Sequence, residues 1–233
     1  MFKIIDFGLK DYNEILEKQS TLFHNLLEEK KEDKEENEYL LIGEHYPVYT
    51  MGRRAKEENL LISEEILNKR GVKLYHIGRG GDITYHCPGQ IIMYPIIDLD
   101  QHKLSVKEYV NLLEETVILL LSNHGIKGER IEGATGVWIG KGTTKERKIC
   151  AIGIKCTRFC AMHGLALNVT SDLRGFTLIN PCGFQDKGVT SIAKEKGEGI
   201  KAPDISEIKK ELSHIFLSLI FSFKKVLDFP EQL

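Results

Sequence analysis

The stretch from Lys148 to Gly183 constrains the fold most. It holds two runs with strand character, 148–156 and 162–169, and Thr157-Arg158-Phe159-Cys160 lies between them. So short a link expects the two strands to pair across it, as a hairpin does. Simple alternation puts Lys148, Cys150 and Ile152 on one face, and Ile149, Ala151 and Gly153 on the other. A cysteine nearly closes the stretch, in Asn180-Pro181-Cys182-Gly183, which is turn chemistry. Thiol and amine on neighbouring elements make a candidate nucleophile and proton acceptor. Each also has a plain reading. A lone cysteine is usually a small buried hydrophobe, and Lys148 alone is one more surface lysine beside Lys145 and Arg147.

The rest of the chain supplies strands in clusters with helices between them. Met1–Phe7 is an expected strand, and residues 11–30 an amphipathic helix with Tyr12, Ile15, Leu16, Leu22, Phe23, Leu26 and Leu27 on one face. The charge run from Glu28 to Glu36 reads as a solvated helix end and loop. Short strands follow at Tyr39–Gly43, Val48–Thr50 and Lys73–Ile77, with one short helix over 57–69. Ile91–Leu99 reads as a central strand except for Pro95, which implies an edge, a bulge or a strand end. Ser105-Val106-Lys107-Glu108 fits a capping box opening a strong helix that ends near Gly125. Gly136–Gly140 is an expected strand, Lys141–Glu146 a polar hairpin turn and Gly175–Pro181 irregular. Asp204, with Glu207, caps a long C-terminal helix. This order predicts an α+β fold: one mixed β-sheet with flanking helices, expected on one side of it. No repeat or linker divides the chain, so residues 1–233 read as a single domain.

Composition narrows the function. A net charge of −2 over 233 residues argues against a nucleic-acid binder. Five cysteines, an odd number without a C-x-x-C pair, argue against a disulfide framework and a zinc ribbon. Cys150, Cys156 and Cys160 read as packing residues, and His163 as either a ligand or base, or a satisfied strand histidine. The N-terminus lacks the apolar core of a signal peptide, and no apolar run reaches the roughly 18 residues of a membrane span. The expectation is a cytoplasmic protein with free thiols, no membrane contact and no metal.

A second candidate is Gly78-Arg79-Gly80-Gly81-Asp82-Ile83-Thr84-Tyr85-His86-Cys87-Pro88-Gly89-Gln90. Its glycines suit either a plain tight turn or a rim that lets a ligand approach the backbone. It is not a Walker A loop, since G-K-[ST] is absent, and it lacks the last glycine of G-x-G-x-x-G.

Together these blocks resemble the lipoyl(octanoyl) transferase family. R-G-G-D-I-T-Y-H-C-P-G-Q at Arg79–Gln90 is similar to that family's R-G-G-x-x-T-[YF]-H-x-P-G-Q. K-I-C-A-I-G at Lys148–Gly153, H-G-L-A-L-N-V at His163–Val169 and I-N-P-C-G at Ile179–Gly183 follow in the family's order and spacing. The segment Glu44–Thr50 also looks like the family's strand before a glycine turn. Cys87 and Ala151 depart from it, standing where glycine and serine are frequent, and Cys87 is expected to put a second thiol at the pocket rim.

The resemblance implies an octanoyltransferase that moves octanoyl groups from acyl carrier protein to a lysine of lipoyl domains. It implies a fold similar to the biotin and lipoate protein ligase catalytic domain. Cys182 becomes the acyl-accepting nucleophile and Lys148 its activating partner. Arg79, Gly80, Gly81, Asp82, Ile83, Thr84, Tyr85 and His86, with Ala151, Ile152, Gly153, Gly164, Leu165 and Ala166, would line the substrate pocket. The implied partners are acyl carrier protein, the lipoyl domains of 2-oxoacid dehydrogenase E2 subunits and the glycine cleavage H protein. No cofactor and no ATP are expected, and the enzyme is expected to be a monomer. Lys141, Lys145, Arg147, Lys155 and Arg158 offer a basic surface for an acidic carrier or, equally, a solvated hairpin. The rivals are an ATP-dependent lipoate or biotin ligase, which needs no cysteine, and a carrier- or lipoyl-domain-binding protein without turnover.

Overall fold

The computed structural model describes residues 2–180, 188–197, 199–201 and 203–227. Cys182, with Pro181 and Gly183, lies outside them.

The strands are β1 (Phe2–Lys10), β2 (Glu38–His45), β3 (Val48–Met51), β4 (Lys73–His76), β5 (Ile83–His86), β6 (Gln90–Asp98), β7 (Glu129–Ile131), β8 (Ala134–Ile139), β9 (Arg147–Thr157), β10 (Cys160–Asn168) and β11 (Gly188–Val189). The helices are α1 (Tyr12–Lys31), α2 (Glu64–Lys69), α3 (Val106–Asn123), α4 (Ile192–Lys196) and α5 (Ile205–Leu227). A large mixed sheet runs β1-β2-β6-β10-β9-β8-β7, with β11 added parallel to β9. A second sheet, β4-β3-β5, stands apart from it.

The mixed α+β reading holds, but helices cover both faces of the large sheet. Its central strands are apolar at successive positions: Leu40, Leu41 and Ile42 in β2, and Ile91, Ile92, Met93 and Tyr94 in β6 are all buried. A strand buried on both faces needs a layer on each. On one side Leu40, Ile42, Ile91 and Met93 pack with Leu113, Val117, Leu212 and Phe216 of α3 and α5. On the other, Leu41, Ile92, Tyr94 and Ile96 pack with Ile15, Phe23 and Leu26 of α1. Asp11 caps α1 by accepting from the Asn13 amide at 2.9 Å. Ser105 and Glu108 form the expected capping box on α3, whose C-cap is His124, followed by Gly125 at φ +72°. Asp204 accepts from the Ser206 and Glu207 amides at the start of α5.

Four local expectations change. Residues 57–69 do not form one helix: Glu57–Asn59 is a 3₁₀ turn, and α2 begins after Ser63. Between them Leu60 bridges Ile179 and the Leu61 amide bonds the Leu178 carbonyl, and these extended contacts interrupt any helix. The first part of Gly175–Pro181, expected to be irregular, belongs to a 3₁₀ helix over Leu173–Leu178 started by Asp172. The charge run is not wholly solvated, because Lys30 bridges Asp98 and Asp100 while Glu29 accepts from the Asn37 amide. Pro95 lies inside an interior strand. The β6–β10 ladder breaks there, pairing Ala161 with Ile97 and resuming at Leu165 with Met93. His163, opposite the proline, takes φ +61°, so the missing N–H sits at a kink rather than at an edge.

β9 and β10 form the expected hairpin. Its two-residue turn, Arg158-Phe159, has both residues at positive φ, as a type I′ turn requires.

Candidate active site

Lys148 sits near the start of β9, one residue before an irregularity in the β8–β9 ladder. Trp138 pairs with Lys148 but Val137 pairs with Cys150, so Ile149 is an extra, bulged residue. The bulge reverses the expected alternation. Ile149 and Cys150 both enter the core under α3, with Ile152 and Ile154 packed against it. Lys148 thereby joins Ala151 and Gly153 on the other face, among the residues of one cavity.

The amine of Lys148 is held, not waving in solvent. The residue is 9 % exposed. Its Nζ donates to the Thr135 carbonyl at 3.2 Å and lies 4.6 Å from the centroid of the Trp138 ring. Gly136, at φ +120°, leaves the room: a Cβ there would fall 2.5 Å from the Cys150 carbonyl oxygen and 3.5 Å from Lys148 Cε. Buried Glu114 of α3 accepts from the Gly136 amide at 3.0 Å and fixes that backbone.

The chain leaving residue 187 is stapled beside this lysine. Val189 pairs with Lys148, and the Thr190 amide donates to the Lys148 carbonyl at 2.9 Å. Glu195 ties the hydroxyl of Thr190 to the guanidinium of Arg147, which it accepts at both oxygens. On the other side of residues 181–187, the Asn180 amide donates to the Asn59 carbonyl at 2.8 Å.

The cavity, about 450 Å³, lies between the α1 face of the large sheet and the small sheet. Ala151, Gly153, Gly164 and Ala166 are among its lining residues and face each other in the pairs Ala151–Ala166 and Gly153–Gly164. The glycine loop crosses directly above. The Gly80 amide donates to the Ile154 carbonyl at 2.8 Å, and a Cβ on Gly153 would lie 2.7 Å from the Gly80 oxygen. Asp82 lines the cavity while its carboxylate accepts from Asn59 Nδ2 at 2.6 Å and from the Ile83 amide at 2.7 Å, so it holds the loop in shape.

A directed chain of hydrogen bonds runs along the wall. Gln90 donates its amide to the Tyr85 carbonyl and to Asn168 Oδ1, so its oxygen accepts from His86 Nδ1–H at 2.7 Å. His86 Nε2 is then the acceptor for the Thr50 hydroxyl at 3.4 Å. Arg79 donates to that hydroxyl at 2.9 Å and to the Thr50 carbonyl at 2.6 Å. Burial, with His45 and Arg79 close by, lowers His86 to about 3. Burial and the Arg79 charge lower His163 to about 3, and burial lowers His45 to about 4. All three are neutral imidazoles at pH 7.

The profile of the lipoyl protein ligase A/B catalytic domain matches residues 11–216. The chain belongs to the lipoyl protein ligase A/B catalytic domain family. It is 51 % identical over 219 residues to an octanoyltransferase of Parabacteroides distasonis, covering 94 % of this chain and 98 % of that one. It is 46 % identical over 217 residues to an octanoyltransferase of Bacteroides fragilis, covering 93 % and 97 %. These relatives make it an acyltransferase that moves octanoyl groups. The bi-partite lipoate protein ligase of Thermoplasma acidophilum shares the fold with a TM-score of 0.66 at 16 % identity, over 95 % of this chain and 83 % of that one. The biotin protein ligase of Aquifex aeolicus does so at 0.55 and 12 %, over 96 % and 72 %.

Of the site residues read from the sequence of this family member, Lys148, Arg79, Gly80, Gly81, Asp82, Ile83, Thr84, His86, Ala151, Ile152, Gly153, Gly164, Leu165 and Ala166 line one cavity. Tyr85 does not. Strand alternation turns it to the opposite side of β5, where it packs on Tyr49 and Phe176. Cys87 is not at the rim either: it is 2 % exposed in that same cluster, and burial pushes its thiol up to about 11. Cys150, Cys156 and Cys160 are free thiols that burial also raises. The basic surface is not one patch. Arg147 is consumed by Glu195, Lys155 lies 5.3 Å from the Phe23 ring, and Arg158 is at the far end of β9 from Arg147. His163, read as a possible base or ligand, lines the cavity, and Tyr12, Tyr94, Gln90 and Asn168 line it unannounced. Gln90, His163 and Asn168 stood inside the family motifs, whereas Tyr12 and Tyr94 looked like core residues of a helix and a strand. Among the described residues no group of three His, Cys, Asp or Glu side chains is arranged to hold a metal, and no helix is long and apolar enough to cross a membrane.

The neutral histidines carry a pH prediction. Their folded pKa values lie below the roughly 6.5 of an unfolded chain. Between about 6.5 and 3 the unfolded state therefore binds more protons, and stability present above pH 6.5 is lost as pH falls. Each histidine contributes up to about 1.4 kcal/mol per pH unit in that window. Thermal melts are expected to be flat from pH 8 to 7 and to fall steeply from pH 6 to 4. An unchanged melting temperature at pH 5 would contradict buried, neutral His45, His86 and His163.

Proposed function

We propose that octanoyl transfer runs through a thioester on Cys182, with Lys148 as its proton acceptor. The donor is octanoyl-acyl carrier protein and the acceptor a lysine of a lipoyl domain, as on E2 subunits of 2-oxoacid dehydrogenases or the glycine cleavage H protein. The observation that carries this reading is the anchored Lys148 amine lining a cavity with the family-motif residues, beside the chain that follows Cys182. The Thermoplasma ligase works in a lipoylation system with its own E2 lipoyl domain, which supports the acceptor class.

In the first step Cys182 gives its proton to Lys148 and the thiolate attacks the donor carbonyl. The S–C bond to the phosphopantetheine arm breaks, and the carrier thiol leaves with that proton. In the second step the lysine amine of the lipoyl domain attacks the Cys182 thioester. An amide forms, the Cys182 thiolate departs, and Lys148 takes the proton the amine sheds. Exchanging thioester for thioester is near balance and thioester for amide is downhill, so no ATP enters. Two half-reactions sharing one covalent intermediate give ping-pong kinetics.

Intact-mass spectrometry after mixing with octanoyl-carrier is expected to show one added octanoyl group. Peptide mapping is expected to place it on Cys182, and the adduct vanishes on adding a lipoyl domain. A label on another residue, or transfer surviving Cys182→Ala, would overturn the mechanism. A strict requirement for ATP would replace it with the ligase reading.

A further inference from the structure

We infer that Asn168 is a positioning residue for Lys148, which it reaches through Thr190 and ties to the glycine-loop wall of the cavity. This rests on Lys148 being the proton acceptor proposed above.

The β9–β10 ladder stops short of Lys148. Its last pair is Leu167 with Cys150, next to the bulged Ile149. Beyond that point β11 takes the place of β10 beside β9. Val189 pairs with Lys148, and the Thr190 amide bonds the Lys148 carbonyl. β11 has only two residues, fewer than the roughly three to ten usual for a strand, so its register needs support from outside the ladder. Asn168, the last residue of β10, supplies it. Its Nδ2 donates to the Thr190 carbonyl at 3.0 Å, across the gap where the ladder has ended. Both residues are buried, so water cannot replace this bond if it is lost.

The bond also has a fixed sense. A carbonyl only accepts, so Nδ2 faces Thr190 and Oδ1 faces Gln90, from which it accepts at 2.9 Å. Gln90 then presents its oxygen to His86 Nδ1–H, and His86 presents Nε2 to the Thr50 hydroxyl that Arg79 also binds. One buried, directed chain thus runs from the backbone beside Lys148 to the glycine loop, and Asn168 is the link between its two halves. Glu195 holds the Thr190 hydroxyl as well, but ties it to Arg147 rather than to the cavity wall. Farther along, the Ala193 amide donates to the Val169 carbonyl at 2.9 Å. That bond docks α4 without Asn168, so variants at Asn168 are expected to fold.

Asn168 lines the cavity too, so the experiment must separate positioning from contact with the acyl group. Amide exchange at Thr190 and steady-state transfer from octanoyl-carrier to a lipoyl domain are measured in Asn168→Ala and Asn168→Asp. Asn168→Ala is expected to speed exchange of the Thr190 amide. It is also expected to lower kcat about 100-fold, the scale of a roughly 1 Å misplacement, with KM nearly unchanged. In Asn168→Asp one oxygen still accepts from Gln90 while the other faces the Thr190 carbonyl, and only the protonated carboxyl can donate there. Because burial holds such a carboxyl protonated above its usual range, kcat relative to wild type is expected to fall as pH rises from about 6 to 8. Asn168→Ala lacks that trend. A folded Asn168→Ala enzyme with wild-type kcat, or with unchanged Thr190 exchange, overturns the proposal. So does a rise in KM at constant kcat, which marks contact with substrate alone. If Asn168→Ala does not fold, a pH-independent ratio in Asn168→Asp overturns it instead. Transfer that survives Cys182→Ala refutes the cysteine route, whereas exchange at Thr190 does not involve the thiol and still decides whether Asn168 holds that backbone.

Discussion

Lys148→Met is expected to lower the rate of octanoyl transfer at least about 10³-fold, toward the upper end of what a positioned proton acceptor supplies. Methionine keeps the length and apolar stem of the side chain but removes the amine that Thr135 and the Trp138 ring hold in place. Lys148→Arg separates two contributions of the amine. Arginine preserves a cation at this position but cannot give up its proton at neutral pH. If charge alone activates Cys182, the arginine variant alkylates with iodoacetamide as fast as wild type and still forms the acyl-enzyme. If proton transfer matters, it forms the acyl-enzyme slowly and is slower still in the amide-forming step, where the attacking amine must shed a proton. Transfer by Lys148→Met within tenfold of wild type would remove Lys148 from the mechanism.

Gly153→Ala is expected to cost about 1–3 kcal/mol of stability, the usual range for overpacking. It is also expected to cost on the order of 100-fold in kcat/KM, the scale associated with displacing substrate-positioning groups by about 1 Å. The added Cβ would sit 2.7 Å from the Gly80 carbonyl oxygen and 3.2 Å from Arg79 Cδ. Backbone on one side and a residue tied to Thr50 on the other leave the loop no cheap way to give. It must rise off β9 and strain the Gly80–Ile154 hydrogen bond. The control lies in the same loop: a Cβ on Gly78 meets only Lys155 Cδ at 3.6 Å, an ordinary contact. Gly78→Ala is expected to stay within about 0.5 kcal/mol of wild type. Thermal melts and steady-state kinetics on both variants check the pair. Equal effects at the two glycines would show that the loop does not depend on its seat on Gly153.

Much of the fold was legible. The hairpin of β9 and β10, the capping box of α3 and the helical period of α1 are local patterns, and each element formed where its pattern lay. The second helical layer was legible in principle: Leu40-Leu41-Ile42 and Ile91-Ile92-Met93-Tyr94 are too continuously apolar for strands with a wet face. The split of residues 57–69 was not, because a long-range bridge from Leu60 to Ile179 decides it.

The site divides in the same way. The motifs named the glycine loop, Lys148 and the small residues of β9 and β10, since their chemistry is carried by residue identity and order. Strand alternation then put Lys148 on the wrong face. A bulge at Ile149 has no unambiguous local signal, and a shift of one residue flips every side chain beyond it. Tyr85 on β5 and Cys87 just past its end sat in the right motif but turn into the other cluster, for the same period-two reason. Tyr12, Tyr94 and His45 are 82 residues apart at most by number (94 − 12) and belong to a helix and two strands. Nothing short-range joins them.

The sequence by itself determined most of the elements and the family, and it named the candidate reacting groups, because caps, periods and motif residues act over a few positions. Only the tertiary structure decided which face Lys148 presents, how closely Gly80 rides on Gly153, and that Tyr12 and Tyr94 line the cavity. Those depend on register between strands distant in the chain, where a single bulged residue exchanges core for cavity.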